Sequence, residues 1–267
     1  MEPKNEIVKY LAKKNIRKQM EKGKKLLLVV PVYNEENIIE NKLTELYEYL
    51  TNLGFQFLLA IVVDFSGDRS VDICRTFANR HANVSLIVHE EKLGRGLAVR
   101  EAWEKFTGDY YAFIDADLST GLEIIQIALE KMERGDVDLI TASRYVNGAS
   151  ARRPPLRKKV SKLYNLGLRL IFKENIQDHQ CGFKLLKKES KEKILHNTKI
   201  NSWFWDTELL IISNALGFKI LEIPVNWKEE KYKNTSLMRL VKDIYLHGTG
   251  IIRLKGEIEN IRKSETV

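Results

Sequence analysis

The chain has 267 residues, of which 44% are hydrophobic and 30% are charged, and its formal net charge is +8. This hydrophobic content excludes an intrinsically disordered protein, and the length suffices for one α/β domain with a sizeable core. The longest hydrophobic runs, 26–32 and 57–63, have seven residues each. A membrane-spanning helix needs about 20 residues, so none is predicted.

The N-terminus and the cysteines indicate the cellular compartment. No hydrophobic segment follows the basic N-terminal stretch before Leu26, so we expect no secretory signal peptide. Cys74 and Cys181 belong to no CxxC motif and to no Cys/His cluster. Two free thiols in a reducing cytosol are the simplest interpretation.

The positive charge is concentrated in two segments. Residues 1–25 carry nine Lys/Arg and three Glu, and residues 151–169 carry seven Lys/Arg and no acidic residue. A nucleic-acid-binding protein usually spreads its positive charge over one face of the fold, so no nucleic acid is predicted as a partner. An ordinary solvated basic helix is the alternative interpretation of each segment.

In chain order, short hydrophobic runs alternate with amphipathic stretches of helical period between Leu26 and Thr141. The runs predict strands at 26–32, 57–63, 84–88, 110–114 and 137–141. The amphipathic stretches predict helices at 38–50, 71–80, 97–106 and 124–132. This alternation is typical of right-handed βαβ units, so we predict an α/β fold with a buried, mostly parallel sheet flanked by helices.

The pattern changes after Ser143. A basic segment opened by Pro154 and Pro155 is followed by a short strand at 182–186, a helix at 204–215, a strand at 218–224 and a mainly helical tail. We therefore divide the chain into a basic N-terminal arm (1–25), an α/β domain (26–235) that includes a basic amphipathic segment (151–172), and a helical C-terminal tail (236–267).

Polar residues follow four of the predicted strands at the point where each strand ends. They are Tyr33, Asn34 and Glu35 after the first strand, Asp64 after the second, His89 after the third, and Asp115 and Asp117 after the fourth. Ligands of open α/β sheets bind beyond the carboxyl ends of the strands. Carboxylates gathered at one edge repel each other unless a cation or a donor-rich ligand compensates their charge. The sequence therefore predicts a binding site at this edge.

Asp115 and Asp117 form a D-x-D motif at the end of an extended run, so we expect their side chains to point in the same direction. Two carboxylates on one side provide the hard oxygen ligands that Mg²⁺ or Mn²⁺ prefers, with positions left for phosphate oxygens. An Asp turn or a helix N-cap before Gly121 is the alternative. The position at a strand end, the other carboxylates and Arg95 favour the metal.

Gly94, Arg95 and Gly96 follow the third strand and open a helix. They do not form the dinucleotide fingerprint, because its third glycine would fall at Val99. A glycine turn with a cation at a helix N-terminus suits a nucleotide's phosphates, and an ordinary strand–helix turn is the alternative. The chain has no G-x-S-x-G motif and no Walker A lysine, and its five histidines have no metal-ligand spacing. Hydrolase and P-loop interpretations are therefore excluded.

The first half of the chain contains VVPVYNEE (29–36), VVD ending at Asp64, GRGLAVR (94–100), FIDADLS (113–119) and ASRY (142–145). Together these motifs resemble the family 2 glycosyltransferases of the GT-A fold. The second half contains IQDHQCGFKL (176–185), WFWDTELL (203–210) and EIPVNW (222–227). These resemble the dolichyl-phosphate β-glucosyltransferases, with the dolichyl-phosphate mannose synthases as near relatives. The resemblance extends from about Leu26 to Arg253.

The resemblance implies roles for individual residues. Those that it places at the nucleotide are Pro31, Tyr33, Glu35, Val63, Asp64, Arg95, Asp115, Ala116 and Asp117. It implies that Asp115 and Asp117 hold a divalent cation, Mg²⁺ or Mn²⁺, and that Asp117 and Asp206 are catalytic. Arg144, Arg157 and Ser161 fall where related enzymes bind the acceptor phosphate.

Two positions depart from the family pattern. Asp64 is followed by Phe65 where the family usually has a second aspartate, which bears on recognition of the base. The usual Gly-Ser-Lys after the last strand is replaced by residues 234–237 (NTSL), and Lys231 is the candidate for the missing cation.

The resemblance implies an inverting transfer of a sugar, glucose from UDP-glucose, to dolichyl or polyprenyl phosphate. An ionised lipid phosphate is its own nucleophile, so the reaction needs no general base. One alternative is transfer of mannose or N-acetylglucosamine to the same lipid. A second is a glycan hydroxyl as the acceptor, with Asp206 or Glu208 as the base. A third is a catalytically silent lipid-surface module that retains the fold.

Hydrophobic residues recur at intervals of three and four within the basic segment, namely Leu156, Val160, Leu163/Tyr164, Gly167/Leu168 and Ile171. This pattern is typical of a helix that lies in a membrane surface, where each Lys or Arg contributes about 1 kcal/mol against anionic lipid. Residues 237–254 have a similar spacing, and packing on the domain is the alternative there. We expect a peripheral enzyme, held by amphipathic helices on the cytoplasmic face of an anionic membrane.

Overall fold

The computed structural model describes residues 23–228, 248–259 and 261. The expectations for Lys231, for residues 237–247 and for the N-terminal arm up to residue 22 lie outside this part of the chain. The strands are β1 (Lys25–Val32), β2 (Gln56–Val63), β3 (Val84–Val88), β4 (Tyr110–Ile114), β5 (Leu139–Ser143), β6 (Ser150–Arg152), β7 (Phe183–Lys187), β8 (Ile220–Pro224) and β9 (Asn226–Lys228). The helices are α1 (Ile39–Leu53), α2 (Ser70–Asn79), α3 (Arg95–Lys105), α4 (Glu123–Arg134), α5 (Pro155–Phe172), α6 (Lys188–Asn197), α7 (Trp205–Ala215) and α8 (248–259).

Seven strands form one sheet in the order β3-β2-β1-β4-β7-β5-β8. β1 pairs in parallel with β2 and β4, whereas β7 runs antiparallel between β4 and β5. Helices cover both faces, which is why the strands read as continuous hydrophobic runs. The predicted fold class, a mostly parallel sheet flanked by helices, is confirmed, with β7 as its antiparallel member.

Two hydrophobic clusters cover the two faces of the sheet. Leu26 and Leu28 of β1 belong to one cluster, and Leu27 and Val29 belong to the other. This division follows from the alternation of side chains along a strand. α1, α2 and α4 pack on the first face, and α3 and α7 pack on the second. Since both faces are filled with apolar side chains, polar groups are left to the ends of the strands.

Some boundaries and elements differ from the prediction. β5 and β8 each begin two residues later than predicted, directly after Asp138 and Lys219, whose main chains are hydrogen-bonded (Asp138 N–H to Lys219 O, 2.9 Å). α6 was not predicted, because its sequence KESKEKILHN buries only Ser190, Lys191 and Ile194 and has little hydrophobic periodicity.

A second, two-stranded sheet was also not predicted. β6 and β9 pair in parallel, with Ala151 opposite Trp227 and Arg152 opposite Lys228. The Lys228 N–H donates a hydrogen bond to the carbonyl oxygen of Ser119 (3.2 Å). This small sheet therefore lies against the turn that follows β4.

α5 begins with Pro155 and ends at Phe172, and the next residue, Lys173, has a left-handed conformation. Its inner face buries Asn165, Leu168 and Phe172. The outer apolar face of α5 consists of six exposed residues: Leu156, Val160, Leu163, Leu166, Leu170 and Ile171. The predicted stripe was therefore wrong at Leu168, which is buried. Within the described residues, no helix has the length and hydrophobicity that a membrane crossing requires.

The C-terminal helix α8 packs on the domain. Leu254 and Ile258 join a hydrophobic cluster with Leu168 and Phe172 of α5 and with Ile212 of α7. This part of the tail thus follows the packing alternative, because its periodic apolar residues find partners in the fold.

Candidate active site

The carboxyl ends of β1, β2 and β4 lie side by side at one edge of the sheet. The loop after β1 is tied to the loop after β2, since the Asn34 N–H donates to Ser66 Oγ (3.1 Å) and the Glu35 N–H donates to Ser70 Oγ (2.9 Å). Asn34 has a φ of 52°, a left-handed conformation that asparagine tolerates better than most residues. These bonds order the loops beside the predicted site.

Four charged side chains form a charge cluster at this edge: Arg95, Lys184 and Asp206, which are buried, and Asp115, which is partly exposed. One guanidinium nitrogen of Arg95 lies 2.8 Å from Asp115 Oδ1, and another lies 3.0 Å from Asp206 Oδ2. Lys184 Nζ lies 3.3 Å from Asp206 Oδ1. Burying a charge is costly unless an opposite charge is close, so these groups depend on one another. The cluster joins the first aspartate of the D-x-D motif to Asp206.

The electrostatics of the cluster keep its arginine charged. Burial raises the pKa of Asp115 to about 6, an effect that Arg95 opposes and the carboxylates of Asp117 and Asp206 reinforce. Burial alone would lower the pKa of Arg95, but Asp115 and Asp206 outweigh it and the pKa is raised.

The segment before β7 holds Asp115 in place. The Asp115 N–H donates to the carbonyl oxygen of Gly182 (3.0 Å). A Cβ atom on Gly182 would overlap the carboxylate of Asp115. Glycine is therefore required at position 182 for space.

The Gly94–Gly96 turn packs α3 against the chain before α7. The N–H groups of Gly96 and Leu97 both donate to the carbonyl oxygen of Asn201 (2.8 and 3.2 Å). A Cβ atom on Gly96 would lie 2.5 Å from the Cβ atom of Trp205. The first amides of α3 are therefore bonded to the protein's own main chain. This geometry favours an ordinary strand–helix turn over an open phosphate-binding site.

Asp117 lies in the turn after β4, which ends at Ile114. Its Oδ1 accepts a hydrogen bond from the Ser119 N–H (3.0 Å), and Leu118 between them has a φ of 54°. Asp117 therefore lies beyond the strand, where strand alternation does not fix its direction, and the expectation that both aspartates point the same way stays a prediction. No second donor to this carboxylate exists among the described residues, so its other oxygen is available for a ligand.

Asp64 positions the loop before α3. Its two carboxylate oxygens accept hydrogen bonds from the N–H groups of Leu93 (2.9 Å) and Gly94 (3.0 Å). His89 lies beside it, with Nδ1 3.5 Å from Asp64 and Nε2 2.6 Å from Glu101. Of the other residues predicted to meet the nucleotide, Pro31 lies in β1, Val63 ends β2, Ala116 is buried, and Tyr33 is exposed with Lys92 Nζ 3.8 Å from its ring centre.

Arg144 is neutralised within the protein. Its Nε and Nη2 each lie 2.7 Å from a different carboxylate oxygen of Asp178, and its N–H also donates to Asp178 (2.9 Å). Burial alone would raise the pKa of Asp178, but Arg144 outweighs it and the pKa is lowered. The guanidinium group of Arg144 is therefore already paired with Asp178, although the resemblance implied that Arg144 binds the acceptor phosphate. Arg157 and Ser161 lie on α5.

Sequence reasoning missed Lys184, Asp178 and Gly182. A signal for Lys184 is present, because a lysine inside a short hydrophobic strand (182–186, GFKLL) is buried only when it has a partner. The partner lies far away in the sequence, so the sequence pattern marks Lys184 as unusual but cannot identify Asp206 as its partner.

Glu208 has a structural role. Its two carboxylate oxygens accept hydrogen bonds from the N–H groups of Lys199 (3.0 Å) and Ile200 (2.9 Å), and burial raises its pKa. A fully buried carboxylate with both oxygens bonded to the main chain is badly placed to accept a proton from a substrate.

We expect both cysteines to be unreactive in the native protein. Burial, reinforced by a nearby aspartate, raises the pKa of Cys74 and that of Cys181 to about 12. Because the thiolate is the nucleophile, alkylation by iodoacetamide at about pH 8 should be very slow until denaturant is added. Mass spectrometry of native and denatured samples would measure this, and rapid labelling of native Cys181 would contradict the expectation.

The family model described as Glycosyl transferase family 2 matches residues 27–195. Dolichyl-phosphate beta-glucosyltransferase ALG5A of Trichomonas vaginalis is 32% identical over 232 residues, which cover 82% of this chain and 71% of that protein. The dolichyl-phosphate beta-glucosyltransferase of Mus musculus is 29% identical, with coverages of 77% and 68%. Glycosyltransferase AglD of Haloferax volcanii is 32% identical over 86% of this chain, and the chain spans only 37% of that longer protein.

Solved structures share the fold. Glucosyl-3-phosphoglycerate synthase from Mycobacterium tuberculosis superposes with a TM-score of 0.70 at 17% identity, covering 91% of this chain and 85% of that one. The same enzyme in complex with Mn²⁺, UDP and phosphoglyceric acid gives a TM-score of 0.69 at 17% identity, with coverages of 88% and 79%. The chain thus shares the fold of this synthase.

Proposed function

Since the chain belongs to glycosyl transferase family 2, we propose that it transfers glucose from UDP-glucose to dolichyl or polyprenyl phosphate, with inversion at the anomeric carbon. The resemblance predicted from the motifs is confirmed by the family model and by the named relatives. The observation that carries the proposal is the 32% identity to a dolichyl-phosphate beta-glucosyltransferase over 82% of the chain.

The proposed reaction does not need a general base. An oxygen of the ionised acceptor phosphate forms a bond to the anomeric carbon, while the bond from that carbon to the diphosphate breaks and its electron pair leaves with the nucleoside diphosphate. No proton has to move. Asp206 is buried, and its two carboxylate oxygens are paired with Arg95 and Lys184, so it is badly placed to take a proton from a substrate. This arrangement favours a phosphate acceptor over the alternative glycan hydroxyl.

The aspartates of the D-x-D motif fit a divalent cation, Mg²⁺ or Mn²⁺. Both are carboxylates at the strand end, and Asp117 has an oxygen available for a ligand. Among the described residues, no three His, Cys, Asp or Glu side chains form a complete metal site, so a cation would take further oxygen ligands from the diphosphate. Such a cation, when bound, neutralises charge on the departing nucleoside diphosphate. Arg95 holds Asp115 in position for this role.

We further propose that the protein works on the cytoplasmic face of a membrane, with the outer apolar face of α5 in the lipid surface. Leu163 and Leu170 are 70% and 71% exposed, although each has an apolar side chain. Lys158, Lys159 and Lys162 on the same helix attract anionic headgroups. An exposed apolar stripe with basic neighbours is the pattern of an interfacial helix.

Replacing Leu163 and Leu170 with glutamine is expected to lower binding to vesicles by about 10- to 100-fold, because two leucines lose their burial in lipid. Cosedimentation with vesicles of phosphatidylcholine and phosphatidylserine would measure the partition coefficient. Ile127→Gln on α4 removes an exposed apolar residue elsewhere and should leave binding unchanged. Equal binding of the double variant and the native protein would contradict the membrane role of α5.

The proposed activity is tested by incubating the protein with radiolabelled UDP-glucose, Mn²⁺ and a short polyprenyl phosphate, followed by extraction into organic solvent. We expect label in the lipid fraction. Parallel incubations with GDP-mannose and UDP-N-acetylglucosamine test the alternative sugars, and a soluble glycan tests the hydroxyl acceptor. Label in the glycan alone would contradict the proposal, and no transfer from any donor would favour a silent lipid-surface module.

A further inference from the structure

Two arginines contact one tryptophan but differ in their ion pairing. The guanidinium carbons of Arg144 and Arg153 lie 5.6 Å and 5.0 Å from the ring centre of Trp227. Arg144 is paired with Asp178. Arg153 has no carboxylate within ion-pair distance in the part of the chain that the structure describes, and its buried Nε has no hydrogen-bond partner there. Arg153 is therefore a held cation without a neutralising carboxylate among the described residues.

Trp227 and Tyr145 hold the Arg153 side chain. Arg153 Nη1 lies 3.5 Å from Tyr145 Oη, so the guanidinium contacts one aromatic side chain through its face and the other through a weak hydrogen bond. Contacts of this kind restrain an arginine while leaving donors of its fork available to an anion. An oriented guanidinium is better suited to a phosphate than a solvated, mobile one.

The position of Arg153 connects it to the D-x-D motif. Arg153 follows β6 directly, and the neighbouring strand β9 donates the Lys228 N–H to the carbonyl oxygen of Ser119 (3.2 Å). The N–H of Ser119 in turn donates to Asp117. The hydroxyls of Ser119 and Thr120 are buried without a hydrogen-bond partner among the described residues. The turn that carries Asp117 thus contains buried hydroxyls without a partner in the described part of the chain, and it is bonded to β9, the neighbour of the strand that Arg153 follows.

The other side of Arg153 leads to the outer apolar face of α5. Only Pro154 separates Arg153 from the helix, and Leu156 at the start of the helix is exposed. Lys162 Nζ lies 5.8 Å from the ring centre of Tyr145, which Arg153 also contacts. Two cations thus approach one tyrosine at the beginning of an exposed hydrophobic surface, an arrangement that matches a phosphate attached to a hydrocarbon chain.

We propose that Arg153 binds the phosphate of the lipid acceptor, with the hydrocarbon chain lying along the outer apolar face of α5. Arg144, whose fork is occupied by Asp178, acts instead as a positioning residue that holds the segment before β7. This inference rests on the proposed function, because it assigns the acceptor of that same reaction.

The test compares Arg153→Ala, Arg153→Lys and the control Arg152→Ala, which removes an exposed positive charge from the adjacent position. With farnesyl phosphate as the acceptor and no bilayer present, Arg153→Ala should raise the KM for farnesyl phosphate by about 10- to 100-fold. The KM for UDP-glucose should stay within about twofold of the native value, since the donor is bound elsewhere. Arg153→Lys should be intermediate, because lysine keeps the charge without the fork. Arg152→Ala should behave like the native protein.

Equilibrium dialysis with farnesyl phosphate alone separates failure of this inference from failure of the proposed function. If the native protein transfers sugar to farnesyl phosphate and Arg153→Ala has an unchanged KM for this acceptor, the inference is overturned and the proposed function stays intact. The same holds if Arg152→Ala raises this KM as much as Arg153→Ala does. Binding by the native protein that Arg153→Ala abolishes would support the inference even without transfer. Absence of native binding would overturn it. Equally strong competition by glycerol phosphate would overturn the placement of the hydrocarbon chain along α5.

Discussion

Replacing Asp117 with asparagine is expected to lower kcat for sugar transfer by about 100- to 1,000-fold, because the substitution removes a carboxylate that would hold the cation facing the departing nucleoside diphosphate. The amide oxygen of asparagine can still accept the Ser119 N–H, so the turn should keep its shape. Transfer of radiolabelled glucose to polyprenyl phosphate at saturating substrates would measure kcat, and circular dichroism would verify folding.

Asp72→Asn is the matched control for this prediction. Asp72 lies on the exposed side of α2, paired with Arg75 at 3.4 Å, and its substitution should leave kcat unchanged. Removing divalent cations with EDTA should abolish transfer by the native protein, and adding Mn²⁺ or Mg²⁺ should restore it. Similar rates for Asp117→Asn and Asp72→Asn would rule out the proposed role of Asp117.

The second large effect is expected at Gly182. A methyl group in Gly182→Ala would overlap the carboxylate of Asp115, and the shift of that carboxylate would disturb its ion pair with Arg95. We expect about a 100-fold loss of kcat/KM and a decrease of about 1–3 kcal/mol in the free energy of unfolding, because the site is buried and packed. Transfer assays and urea unfolding would measure the two quantities.

Gly256→Ala provides the control for a glycine-to-alanine change. Gly256 lies on α8, and a Cβ atom there would meet nothing within 4 Å. This variant should keep native activity and gain about 0.5–1 kcal/mol in the free energy of unfolding, because alanine favours a helix. Native activity in Gly182→Ala would show that the position of Asp115 does not matter for transfer.

Much of the sheet follows from local sequence. β3 and β4 have the predicted bounds, and β1 and β2 each begin one residue earlier. These strands are buried on both faces, so the hydrophobic run itself marks the strand. The edge that carries Asp64, Asp115 and Asp117 was also predictable, because parallel strands of βαβ units end at the same side of a sheet.

Elements with a weak hydrophobic pattern were not predictable. α6 is mostly polar, and β6 and β9 have three residues each, too few to show an alternation. The turn that carries Asp117 was also not predictable, since a left-handed residue follows the strand and local periodicity does not extend into it.

The sequence by itself determined the hydrophobic periodicity, the strand ends and the residues that form recognisable motifs, because these depend on neighbours along the chain. Only the tertiary structure decided which buried charges meet. β7 enters the sheet antiparallel between β4 and β5 and brings Lys184 to Asp206 and Gly182 to Asp115, while Arg144 meets Asp178 and leaves Arg153 without a carboxylate partner among the described residues. Such pairing follows from the packing of segments that are distant in sequence, since Coulomb attraction and desolvation depend on separation in space.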